Sequence, residues 1–130
     1  MEIHVSQQQG NVPVTVLKIK GPVTDNEELE RLAGQAIEGG ARYIALDLAD
    51  VPYMATSGLR AIHAIYDRLR LAASGAGDDP TGRGIAAGTY VSPHLKLVKP
   101  TPHVLEVLRA AGYDMFLEIH KDVQQAIASF

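Results

Sequence analysis

The chain has 130 residues, a formal net charge of −3, 46% hydrophobic and 21% charged residues, and no cysteine. Those figures describe one ordinary globular domain with one core, and they exclude disulfides, thiolate metal sites and thiol chemistry. The negative balance and the absence of Trp argue against a nucleic-acid surface, and no apolar run approaches the ~20 residues that span a bilayer.

Residues 1–9 alternate weakly, with Ile3 and Val5 apolar, and read as an edge strand. Gly10-Asn11 forms a two-residue link to a second alternating run, Val12–Lys20, with Pro13 at its start, where a missing N–H does least harm. Gly21-Pro22 breaks the run. Thr24 with Glu27 three residues on matches a capping box, and a helix to about Glu38 follows, closed by Gly39-Gly40.

Tyr43–Leu48 is short and apolar, as a central strand covered on both faces should be. From Leu59 onward Ile62, Ile65, Tyr66 and Leu69 recur at helical spacing. Between strand and helix lies Met54-Ala55-Thr56-Ser57-Gly58, with two hydroxyls where the helix begins. Two readings are open there. Thr56 or Ser57 caps the helix, or one of them presents its oxygen for modification at the carboxyl end of a central strand, where open α/β sheets place function.

Residues 72–93 are rich in turn formers and read as an exposed excursion. A phosphate cradle within Gly75–Gly84 lacks the Gly-Lys-Ser/Thr that such a loop requires; locally, Ile85–Ala87 either pairs with Thr89–Val91 in a small hairpin about Gly88 or begins a strand. Leu95–Val98 is another buried strand. Thr101 and Pro102 open a helix with Val104, Leu105, Val107, Leu108 and Ala111 inward, ended by Gly112. Tyr113–Phe116 links to an edge strand, Leu117–His120, and Asp122 caps a last helix with Val123, Ala126, Ile127 and Phe130 inward. Strand, helix and strand of similar character imply parallel crossovers. The expected fold is therefore α/β: a mixed central sheet of about four to five strands with about four helices, one helical layer dominant, in one domain over 1–130.

None of the five histidines has ligand spacing, so no metal or cofactor is expected. Ala55-Thr56-Ser57-Gly58-Leu59 is no G-x-S-x-G elbow, and no other catalytic set is present, so the chain does not read as an enzyme.

Asp47-Leu48-Ala49-Asp50-Val51-Pro52-Tyr53-Met54-Ala55-Thr56-Ser57-Gly58-Leu59 resembles the signature of the STAS domain (sulfate transporter and anti-sigma factor antagonist). Asp47, Leu48, Val51, Met54, Ser57, Gly58 and Leu59 match, and the order of elements fits apart from Ala72–Pro93. One position departs: the family's Asp is Ala55. The resemblance implies a STAS-like fold and a phospho-acceptor at Thr56, with Ser57 as the alternative. It implies that the unmodified form binds a kinase-type anti-sigma factor and that a phosphatase reverses the modification; the cytoplasm is the expected compartment from the absence of cysteine, of a signal peptide and of a spanning run. The implied contact surface is Met54, Ala55, Ser57, Gly58, Leu59 and Arg60 with the loop Val23, Thr24, Asp25 and Asn26. The alternative is a STAS module that is never phosphorylated and serves as a scaffold or ligand sensor.

Overall fold

The computed structural model describes residues 1–74 and 91–130. A sheet in the order β1-β2-β3-β4-β5 organises them. Its strands are β1 (Glu2–Gln9), β2 (Pro13–Lys20), β3 (Ile44–Asp50), β4 (Leu95–Val98) and β5 (Glu118–His120). β1 runs antiparallel to β2, and every later pair is parallel. Four helices appear among the described residues: α1 (Glu27–Glu38), α2 (Thr56–Ser74), α3 (Pro102–Ala110) and α4 (Val123–Ser129). The mixed sheet, four helices and edge placement of the first and last strands agree with the sequence.

The two faces of the sheet are unequal. Leu17, Ile19, Leu46, Leu48, Leu95 and Leu97 pack with α1, α2 and α3 in the main core through Leu29, Ile62, Ile65, Leu69, Val104 and Leu108. Val14, Val16, Ala45 and Val98 face the other way, against Ala126 and Ile127 of α4. β3 and β4 are covered on both sides, so their sequences are continuously apolar rather than alternating. The charged exceptions are Asp47 in β3, whose carboxylate accepts the Ala49 N–H at 3.1 Å, and Lys96, almost fully buried within β4. Burying an ammonium is tolerable only with full pairing. Its Nζ meets Glu118 at 3.0 Å and donates to the hydroxyl of Ser129 at 2.8 Å and the Ser129 carbonyl at 3.0 Å, with the Phe130 ring centroid 4.7 Å away. Lys96 thereby ties the end of α4 to the sheet.

Local signals were overridden in several places. The hairpin link takes Gly10–Val12, since Gln9 already faces Pro13. The Thr24 capping box does not form: α1 begins at Glu27 after Asn26, Asp25 accepts the Glu27 N–H at 3.1 Å, and Asn26 donates to Glu30 at 3.0 Å. Thr101 precedes Pro102 as expected, but its hydroxyl donates to the Val51 carbonyl at 2.8 Å instead of capping α3. Of the five residues expected inward on α3, only Val104 and Leu108 are buried. Tyr113–Met115 forms a 3₁₀ turn, whose Tyr113 hydroxyl donates to the Leu59 carbonyl at 2.8 Å, and Asp122 caps α4 as expected by accepting from Gln125 N at 2.8 Å. α2 continues to Ser74, past the start of the expected excursion. Of the expected pairing of Ile85–Ala87 with Thr89–Val91 only Val91 is described, and it lies in no strand; the rest of it, and the Gly75–Gly84 segment, lie outside the described residues.

Candidate functional site

β3 ends beside the N-terminus of α2, and the intervening loop is fastened on both sides. Val23 forms a parallel bridge with Met54: its N–H donates to the Tyr53 carbonyl, and its carbonyl accepts from Ala55 N, each at 2.9 Å. The Ser57 hydroxyl donates to the Thr24 carbonyl at 2.8 Å. On the opposite side, the Thr101 hydroxyl holds Val51 at 2.8 Å. Three chain segments far apart in sequence thus form one rigid rim at the carboxyl end of the sheet. Gly58 is obligatory in it, because a Cβ there would lie 2.7 Å from Met54 Cγ and 2.8 Å from Val23 Cγ1.

Neither Thr56 nor Ser57 caps the helix. Ala55 stands at the N-cap: its carbonyl accepts from Gly58 N at 2.9 Å and Leu59 N at 3.3 Å, and Thr56 is the first helical residue. A methyl group offers no acceptor to the free amides. The first turn of α2 carries no acidic residue, whereas α1 opens with Glu27, Glu28 and Glu30. The 19-residue α2 therefore presents an uncompensated positive end. The Ser57 hydroxyl is spent on Thr24 rather than on a cap. The Thr56 side chain is exposed, and its hydroxyl has no partner among the described residues.

The expected contact residues divide by exposure. Thr24, Asp25, Thr56 and Arg60 are exposed; Asn26, Ala55, Ser57 and Leu59 are half-buried. Val23, Met54 and Gly58 are buried, so they position the rim from beneath its surface. Two residues outside the expected contact surface also face outward. The Tyr53 ring, 47% exposed, stacks on His103 at 5.7 Å between centroids with an 18° tilt. Tyr53 lies inside the motif as an unmatched spacer, a weak signal, and His103 gave none. Among the described residues no cluster of three or more His, Asp or Glu could hold a metal ion, and no helix is long and apolar enough to cross a membrane.

The STAS domain family model matches residues 4–74, more than half of the chain. The chain belongs to the STAS domain family. Among solved structures, it is similar to an anti-sigma-factor antagonist (STAS) domain protein from Planctomyces limnophilus, with 19% identity, a TM-score of 0.68, and coverage of 96% of this chain and 94% of that one. An anti-sigma factor antagonist from Mycobacterium paratuberculosis aligns at 15% identity and TM-score 0.68, over 98% of this chain and 93% of that one. The Bacillus cell fate determinant SpoIIAA in its phosphorylated form aligns at 15% identity and TM-score 0.62, over 97% and 96%. The anti-sigma factor antagonist SpoIIAA in its unphosphorylated form aligns at 17% identity and TM-score 0.67, over 97% of this chain and 93% of that one. At these identities the likeness establishes the fold. No curated protein sequence matches the chain.

Proposed function

We propose that this protein is a phosphorylation-switched, protein-binding regulator of the anti-sigma factor antagonist kind, acting in the cytoplasm and without catalysis or a cofactor of its own. The unmodified rim binds a kinase-type anti-sigma factor. That kinase phosphorylates Thr56, the complex dissociates, and a phosphatase resets the chain. The observation that carries this reading is the Thr56 hydroxyl, exposed and unpartnered on a rim whose backbone is fixed. Ser57 is the poorer acceptor, since its modification must first break the bond to Thr24.

The switch is local. A phosphate adds roughly −1.5 to −2 charge. Beside the bare amides of α2 that charge is stabilised within the chain. Against a close-fitting acidic partner surface it repels and must be desolvated, so affinity falls without refolding. SpoIIAA, solved in both phosphorylated and unphosphorylated forms, supports the same cycle here by analogy.

Ala55 favours a second reading. Without a carboxylate beside the acceptor, the rim serves as a permanent scaffold contact that is never phosphorylated. Intact mass after incubation with the cognate anti-sigma kinase and ATP separates the two. One added phosphate, lost in Thr56→Ala and kept in Ser57→Ala, supports the switch; no added phosphate supports the scaffold.

A further inference from the structure

A groove on the other flank of the sheet has no part in the switch. It runs between α3 and β5, with a volume of about 630 Å³, and Lys99, Arg109 and Lys121 line it. Lys99 directly follows β4 and Lys121 directly follows β5, so both stand at the carboxyl ends of parallel strands, the usual place for ligands in such sheets. All three side chains are exposed, and none has an ion-pair partner among the described residues. Of the two carboxylates in the groove, Glu118 is held by Lys96 at 3.0 Å and by His120 at 3.4 Å, which leaves Asp114 alone against three cations. A local surplus of positive charge in a chain of net charge −3 is not a reflection of composition.

The backbone adds an independent observation. Lys99 has φ of 50°, the only non-glycine residue with positive φ among those described. It also precedes Pro100, which disfavours all but extended conformations at that position. Its N–H donates to the His120 carbonyl at 2.9 Å, and this bond locks the bend. A long cationic side chain kept in a left-handed conformation, where glycine would be unstrained, is the kind of local cost that accompanies binding sites.

Leu105, Leu117 and Ile119, buried or half-buried, line the groove beneath these exposed cations. Cations at the rim, apolar side chains beneath them and a volume within the usual range for small-molecule sites define the ligand class. We propose that this groove binds a small phosphate monoester with an apolar or aromatic body. The phosphate sits among Lys99, Lys121 and the Arg109 fork, and the body lies on Leu105, Leu117 and Ile119. This site does not depend on the Thr56 switch.

Phenyl phosphate titrated into the full chain, followed by backbone amide NMR shifts at low ionic strength, tests the site. Saturable shifts at Lys99 and Leu117–Lys121 are expected, weakened about fivefold or more in Lys121→Gln or Arg109→Gln and by added salt. Benzyl alcohol, which keeps the ring but lacks the charge, and inorganic phosphate, which lacks the ring, should each bind more weakly. The proposal is overturned by an absence of saturable shifts at these amides, by unchanged affinity in both variants, by benzyl alcohol binding as tightly, or by shifts centred on Thr56–Arg60.

Discussion

The Ser57 hydroxyl donates to the Thr24 carbonyl at 2.8 Å, and this one bond joins the start of α2 to the segment that leads into α1. Beside it run the two main-chain bonds of Val23, to Tyr53 and to Ala55. The rim that carries Thr56 is therefore preorganised, and binding need not order it.

Removing that bond should loosen the rim alone. Ser57→Ala is expected to cost about 1 kcal/mol. Hydrogen exchange at the Val23 and Ala55 amides should speed up, while that of Ile44–Leu48 in the central strand stays unchanged. Equal exchange at Val23 and Ala55 in both proteins would mean that the main-chain bonds hold the rim unaided.

Ala55 at the N-cap predicts a stabilising substitution. Ala55→Asp supplies an acceptor to the free amides and a negative charge to the positive end of α2, worth about 1 kcal/mol. Thermal unfolding should shift upward by about 4 °C. An unchanged or lower midpoint would show that the end of α2 is already compensated.

His94 predicts a pH dependence. Burial holds its imidazole below the ordinary 6.5, and the Arg42 charge acts in the same sense, while the bond from Nδ1–H to the Arg42 carbonyl at 3.0 Å opposes them. With the folded pKa depressed, the unfolded chain takes up the proton first. The stabilising contribution is complete above about 6.5 and is lost as pH falls through the folded value. Melting temperatures at pH 7.5 and 5.5 should therefore fall more steeply toward acid in the wild type than in His94→Asn, which keeps a donor near the Nδ1 position. Equal slopes would remove His94 as the cause.

The architecture was legible where burial is continuous. Tyr43–Leu48 and Leu95–Val98 read as covered strands because both faces of β3 and β4 are packed. Lys96 was not legible, because the Glu118 and Ser129 that satisfy it come from later elements. Hydroxyl signals misled for the same reason. Thr24, Ser57 and Thr101 each stand near a helix start, yet the Ser57 and Thr101 hydroxyls donate to carbonyls of distant loops, and Thr24 contributes its carbonyl. A capping pattern records only the local alternative, and tertiary partners decided between the two. Topology and motif together point to the Tyr53–Gly58 loop as the candidate site. The Tyr53–His103 stack was not legible, since nothing local to either residue announces the other.

The central claim is that charge at Thr56 controls partner binding. Its most direct test is co-purification of tagged wild type, Thr56→Ala and Thr56→Asp from the native cell, with bound proteins identified and quantified. The account predicts a kinase-type anti-sigma factor recovered with wild type and Thr56→Ala and depleted about tenfold or more with Thr56→Asp, from the like-charge and desolvation cost at the interface. Equal recovery of that partner with all three would contradict it.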